Sequence, residues 1–133
     1  MKKNLTILFL LAIIGNKTQA QKEETITYYT FCQVSDNSSK TPKTYYYTNI
    51  FSFKVDEYRS GDIANVATGR LESQFSSYIY RATGSNYLTK SASYYSTYTE
   101  ALKERDRRMN LDKAGRINPV ISNDFSFYFN KDE

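Results

Sequence analysis

The sequence predicts an α+β fold, a two-layer sandwich in which two helices pack on one face of a sheet of about four strands. Aromatic and β-branched residues alternate with polar ones in several segments, which is typical of half-buried strands. Two other segments carry apolar residues at three- and four-residue steps, which indicates amphipathic helices. The predicted elements follow in the order ββαβαβ.

The first two predicted strands span residues 25–35 and 44–56. Because successive side chains of a strand point to opposite faces, Tyr29 and Phe31 fall on the face opposite Cys32. The polar segment between the two strands, DNSSKTPK, has the composition of a turn. We therefore expect the strands to form an antiparallel hairpin.

A first helix is predicted from residues 60–62 onwards, with its strongest periodicity over 71–81. Gly84 stands where a glycine can cap the C-terminal end of that helix. A short strand is predicted over 86–95, and its serine and lysine content suits the edge of a sheet.

A second helix is predicted over 97–114, where Thr97 and Glu100 match a capping box. Pro119 prevents that helix from restarting, and a last strand is predicted over 120–130.

The first 20 residues are predicted to be a cleavable secretory signal peptide. Lys2 and Lys3 precede an apolar run at 5–14, which is shorter than the roughly 20 residues of a bilayer span. Small residues at Thr18 and Ala20 favour cleavage after Ala20. We therefore expect a secreted or periplasmic bacterial protein with no membrane span after cleavage. An uncleaved membrane anchor is the alternative.

Cleavage would leave a single small domain at residues 21–133 with little net charge. The full sequence carries +4, but removing the three lysines of the signal peptide leaves 15 basic and 14 acidic residues, a net charge of +1. A near-neutral domain gives no electrostatic argument for a nucleic-acid partner, so none is expected.

Neither a cofactor nor a metal is expected. The chain has no histidine and one cysteine, which removes the commonest ligands of zinc and iron–sulfur sites. Cys32 cannot form an intramolecular disulfide. We expect this residue to be buried, and an intermolecular disulfide is the alternative.

No catalytic motif is recognisable, and we expect a protein that is not an enzyme. Without histidine a nucleophilic triad lacks its usual base, and neither glycine-rich phosphate motif is present. A carboxylate-based hydrolase is an alternative that would draw on the acidic residues Asp56, Glu57, Asp62 and Glu72.

The 13 tyrosines are the most informative feature of the composition. By strand parity, four aromatic residues fall on the sheet face away from the predicted helices: Tyr29, Phe31, Tyr46 and Tyr128. An exposed aromatic patch of this kind is typical of a binding surface or a dimer interface. The alternative is that these side chains only pack at the edges of the sheet.

The leading functional hypothesis is a binding domain that uses this aromatic face. Its expected partner is another protein, a component of the cell envelope, or a second copy of the chain. The second hypothesis is a secreted inhibitor or immunity-type protein that blocks a target with the loop at residues 36–43.

Overall fold

The computed structural model describes residues 24–132, so the predicted signal peptide and its cleavage site lie outside the described residues. The fold is α+β, as predicted, with one sheet of five strands and two helices. In chain order the elements are β1 Thr25–Asp36, β2 Thr44–Tyr47, β3 Phe51–Asp56, α1 Ser60–Thr83, β4 Leu88–Tyr95, α2 Tyr98–Ala114 and β5 Asn118–Ile121. A 3-10 turn at Glu57–Arg59 joins β3 to α1.

The long strand β1 is the centre of the sheet. β4 pairs antiparallel with one edge of β1, while β2 and β3 pair antiparallel with the other edge. β5 runs parallel to β2 on the outer side of that strand. The sheet therefore ends at β4 on one side.

The predicted second strand is interrupted and forms β2 and β3. The pairs Thr30–Phe51 and Gln33–Tyr47 leave two residues of β1 opposite three residues of the partner chain. The extra residue acts as a β-bulge, which reverses the direction in which the following side chains point. Tyr47 and Phe53, which would share a face in one uninterrupted strand, therefore lie on opposite faces.

The two helices lie on opposite faces of the sheet, and the prediction that they share one face is wrong. α1 covers the face that carries Cys32, whereas α2 buries Ala101 against the face that carries Phe31. Phe31 and Cys32 are neighbours in β1, so their side chains point in opposite directions. The domain has three layers in the order helix, sheet, helix.

The first helix is amphipathic, as predicted. Its buried residues follow the helical period: Ala64, Ala67, Thr68, Leu71, Phe75 and Ile79. The helix ends at Gly84, whose φ of 71° lies in the left-handed region that glycine adopts without strain. The Gly84 amide donates to the carbonyl of Tyr80 at 2.7 Å and so closes the last turn.

The last predicted strand is a strand only over its first residues. β5 ends at Ile121, and the extended segment 125–130 has no ladder partner in the described chain. The segment keeps the predicted alternation, with Phe125, Phe127 and Phe129 facing the protein. Gln74 of α1 replaces a neighbouring strand, because its side-chain amide donates to the Tyr128 carbonyl at 2.9 Å and accepts from the Tyr128 amide at 3.2 Å.

Neither α1 nor α2, the helices found between residues 24 and 132, is both long enough and apolar enough to cross a bilayer.

Candidate functional site

The four aromatic residues predicted to form an exposed face do not form one. Phe31 is only 1% exposed because α2 covers it, and Tyr46 packs on the opposite face of the sheet under α1. Tyr29 is half-buried at the margin of α2, where its ring meets that of Tyr98 at 6.2 Å between centroids. Tyr128 is 63% exposed on the C-terminal segment. The prediction failed because α2 covers Phe31 and because the bulge between β2 and β3 leaves Tyr46 on the α1 face. A binding role for any one of these residues stays a prediction.

Phe31 is the centre of a second core between the sheet and α2. Its ring stacks on Tyr95 with 5.8 Å between centroids and 5° between planes. The guanidinium of Arg108 lies 5.2 Å from the centre of the Phe31 ring. Such ring and cation–π contacts add to the stabilisation that burial provides. This face is therefore part of the folded interior.

Polar bonds supplement the small apolar contact that α2 makes. The Tyr47 hydroxyl donates to the Asp112 carboxylate, and both side chains are buried. Arg105 donates to the Thr48 carbonyl at 3.2 Å. Burial, reinforced by the hydrogen bond to Asp112, raises the pKa of Tyr47 above its usual range. The hydroxyl therefore remains a donor at neutral pH.

Asp112→Ala should lower the free energy of unfolding by about 2 kcal/mol, because the Tyr47 hydroxyl stays buried without its acceptor. The double variant Tyr47→Phe/Asp112→Ala should lose less than the sum of the two single losses, since it removes both partners together. Urea unfolding followed by circular dichroism measures the three values. Strictly additive losses would contradict a direct bond between these two side chains.

The single cysteine is buried, as expected, and is not placed for chemistry. Cys32 is 0% exposed, and burial together with the charge of Glu72 raises the pKa of its thiol to about 12. A protonated thiol is a poor nucleophile and a poor metal ligand. Between residues 24 and 132 no group of three or more histidine, cysteine, aspartate or glutamate side chains is arranged to hold a metal ion.

The acidic residues considered for a hydrolase are distributed over several places. Asp56 is salt-bridged at the end of β3, next to Glu57. The Glu72 carboxylate accepts the backbone amide of Ala92 at 3.0 Å on the β4 side of α1. Asp62 precedes Glu72 by ten residues, roughly 15 Å along the helix axis. The four carboxylates are not brought together around one cavity.

β4 forms an open edge of the sheet. The Ala92 amide points away from β1, because it donates to Glu72 of α1. Backbone groups alternate in direction along a strand, so those of Leu88, Lys90 and Tyr94 also point outward. Within the described part of the chain, the amides of these three residues have no hydrogen-bond partner. The outer edge of an eight-residue strand is therefore available for pairing.

A shallow cavity lies beside this edge, between the end of α1 and the start of β4. Its lining includes Ser77, Tyr80, Arg81, Asn86, Leu88 and Lys90, and none of the residues that line it is acidic. Over residues 24–132, neither of the two cations of the lining forms an ion pair. The cavity therefore presents two cations that form no ion pair within residues 24–132, among hydroxyl and amide groups.

The loop at residues 37–43 is fixed at its base and lies next to the start of β4. Asp36, which is 4% exposed, accepts hydrogen bonds from the Ser38 amide at 3.0 Å and from the Ser85 hydroxyl at 2.8 Å. Burial acts to raise the pKa of Asp36, but these hydrogen bonds outweigh it and hold the pKa below its usual value. The Asn37 amide donates to the Tyr87 carbonyl at 2.9 Å and ties the loop to the lead into β4.

The sequence predicted an edge position for this strand, but it indicated Glu72 only as a hydrolase candidate and did not indicate Arg81. Glu72 adjoins Leu71 on the apolar stripe of α1, a position from which a carboxylate can reach the sheet. That signal was visible in the helical period. The helical period does not show which strand lies beneath the helix. Arg81 and Lys90 line the same cavity only because β4 pairs with β1.

No protein-family model matches the chain, and no similar curated protein or solved structure was found.

Proposed function

We propose that this chain is an exported, non-enzymatic binding domain that captures an extended segment of another protein of the cell envelope along the outer edge of β4. The observation that carries the proposal is the row of outward backbone groups at Leu88, Lys90 and Tyr94 that have no partner in the described chain. In strand addition, main-chain hydrogen bonds supply affinity, and alternate side chains supply selectivity.

The other side of α1 supports this proposal, because an extended segment already occupies it. The C-terminal segment 125–130 runs beside α1 over β3, where Gln74 bonds both backbone groups of Tyr128. On the β4 side, Glu72 extends from α1 to the edge in a comparable way. No segment in the described part of the chain lies along that side. An added strand would occupy it.

Glu72 keeps the edge satisfied before a partner arrives. Its carboxylate accepts the Ala92 amide in the free domain, and a carbonyl of an added strand would take over that role. The partly buried Ala92 amide therefore has an acceptor in both states, which lowers the cost of exchange.

A different chain suits this edge better than a second copy. Two copies paired antiparallel about Ala92 would bring both Glu72 carboxylates to the same region of one face, and like charges there repel. A competing explanation is that Lys90 and Glu72 serve only to keep the edge from pairing, as charged residues do on many edge strands. The two explanations differ in whether an added strand protects the edge.

The experiment uses the mature chain, residues 21–133, and a displayed library of random 12-residue peptides. Backbone amide hydrogen exchange then locates the selected peptides. If they pair with β4, exchange at Lys90 and Tyr94 should slow at least about tenfold. The amides of Ser91 and Ser93 face β1 and are internal controls that should not change.

A matched pair of variants separates backbone pairing from side-chain contact. Lys90→Pro removes an outward amide, which an edge strand tolerates, whereas Lys90→Ala keeps it. Lys90→Pro should weaken peptide binding at least about tenfold beyond Lys90→Ala, the equivalent of about 1.4 kcal/mol. Equal affinity of the two variants, or protection elsewhere on the domain, would refute strand addition at β4.

Inhibition by the loop at residues 37–43 is a second candidate, supported by the fixed base of that loop at Asp36. Residues Lys40, Thr41, Pro42 and Lys43 are exposed beyond this base. Replacement of residues 39–42 by a glycine–serine linker should abolish capture of a target by such an inhibitor, while Lys90→Pro should leave it unchanged. The opposite pattern would favour β4.

A further inference from the structure

We infer that the segment captured by β4 is acidic at one defined position, and that the cavity containing Arg81 and Lys90 receives its carboxylate. This inference rests on the proposed strand addition. It goes further because it names the chemistry of the partner and the register in which the partner binds.

The cations beside the β4 edge are complementary in charge to an acidic side chain. Arg81 and Lys90 line one cavity, and neither has an ion-pair partner within residues 24–132. Ser77, Tyr80 and Asn86 add hydroxyl and amide groups to the same lining. A carboxylate accepts charge-assisted hydrogen bonds from both cations and further bonds from such neutral donors.

An added strand would run directly beside these cations. Lys90 belongs both to the open edge and to the cavity lining, so a strand paired with β4 passes over the cavity. Cross-strand neighbours share a face of the sheet. A side chain opposite Leu88 or Lys90 therefore points to the α1 side, where Arg81 lies. Pairing with β4 in this register therefore places one side chain of the partner next to Arg81 and Lys90.

The position of Glu72 restricts where along β4 an acidic side chain can bind. Its carboxylate is bonded to Ala92, two residues and about 7 Å along the strand from Lys90. A carboxylate opposite Ala92 would face this negative charge, and like-charge contact penalises that register. An acidic side chain of the partner is therefore favoured opposite Lys90 and disfavoured opposite Ala92.

The test uses a peptide selected on the mature chain, with its register assigned by amide exchange and by contacts between the peptide and β4 in NMR spectra. The peptide should carry Asp or Glu opposite Leu88 or Lys90. Changing that residue to Gln or Asn should weaken binding about tenfold. Adding Glu opposite Ala92 should weaken binding as well, because the new carboxylate would face Glu72.

Variants of the cavity complete the test. Arg81→Gln should reduce the preference for the acidic peptide over its amide analogue to near unity, while protection of the Tyr94 amide persists. Arg81→Glu should bind a peptide with Lys at that position better than the acidic one. Arg116→Gln, which removes an exposed cation outside the cavity lining, is the matched control and should leave the preference unchanged.

The outcomes separate the two proposals. Protection of the β4 amides by acidic and amide peptides with equal affinity would overturn the acidic inference and leave strand addition standing. Absence of protection at Lys90 and Tyr94 with every peptide would overturn both. A preference that survives Arg81→Gln and Lys90→Gln together would show that the acid binds outside this cavity, and would also overturn the inference.

Discussion

Replacing Phe31 with serine should destabilise the domain by about 4 kcal/mol or more, enough to unfold most molecules of a marginally stable domain. The Phe31 side chain is 1% exposed between β1 and α2, stacked on Tyr95 and covered by Arg108. Serine would leave a cavity in this second core and would place a hydroxyl among mainly aromatic side chains. Urea unfolding monitored by far-ultraviolet circular dichroism measures the loss.

Tyr128→Ser is the matched control for this change. Tyr128 was predicted to share a face with Phe31, but its side chain is 63% exposed. Its bonds to Gln74 use only backbone atoms, which serine retains. The free energy of unfolding should therefore change by less than about 0.5 kcal/mol. If Phe31→Ser proved equally harmless, α2 would not cover this face, and an exposed aromatic surface would again be the better explanation.

The elements that the sequence predicts well have a strong pattern of their own. β1 is rich in aromatic and β-branched residues, α1 places a buried residue at each turn, and Gly84 ends α1 where a left-handed residue is needed. Thr97 caps α2 as expected, because its hydroxyl accepts the Glu100 amide at 3.1 Å. These features are local, so the sequence alone determines them.

The position of α2 could not be predicted, because the helix has few apolar residues. Ala101 and Asp112 are its buried residues, and much of its attachment comes from Asp112 and Arg105. A polar helix of this kind carries no hydrophobic stripe that requires one face of the sheet. The predicted exposure of Phe31 failed for this reason, since it depended on where α2 packs.

The bulge between β2 and β3 also escaped prediction. Thr48 in this break accepts the Cys32 amide at 2.9 Å and returns its own amide to the Cys32 carbonyl at 3.0 Å. These bonds keep the interruption satisfied while the side chains reverse direction. Because Thr, Asn and Ile continue an alternating pattern plausibly, periodicity cannot show that one residue is left out of the ladder.

The candidate site was predicted in part. The Ser and Lys content of the fourth strand indicated an edge, and β4 is one. The cavity beside it joins Arg81 on α1 to Lys90 on β4, residues that a turn brings together after Gly84. Such a juxtaposition depends on tertiary packing. The sequence therefore predicted the exposed strand but not the charges that surround it.

Truncation after Ser122 should abolish folding, although it removes only the last 11 of 133 residues. The lost segment carries three aromatic residues that pack against β3 and α1. Phe125 lies 4.9 Å from Phe75 and 6.0 Å from Phe51 between ring centroids, and Phe129 lies 5.8 Å from Phe53. Each such side chain contributes about 2 kcal/mol or more on burial, so their joint loss approaches the whole stability of a small domain.

The control is truncation after Asn130, which keeps all three phenylalanines and removes the ion pair between Lys131 and Asp56. A partly exposed ion pair contributes at most about 1 kcal/mol, so this shorter truncation should unfold cooperatively at nearly the original midpoint. A peptide of residues 123–130 added to the chain truncated after Ser122 should restore chemical-shift dispersion, because it supplies the missing phenylalanines and the contacts with Gln74 and so favours the folded state. Native spectra without the peptide would contradict a structural role for the segment. Restoration by the peptide would show directly that the groove beside α1 accepts an extended chain from outside the domain, the property proposed for its β4 side.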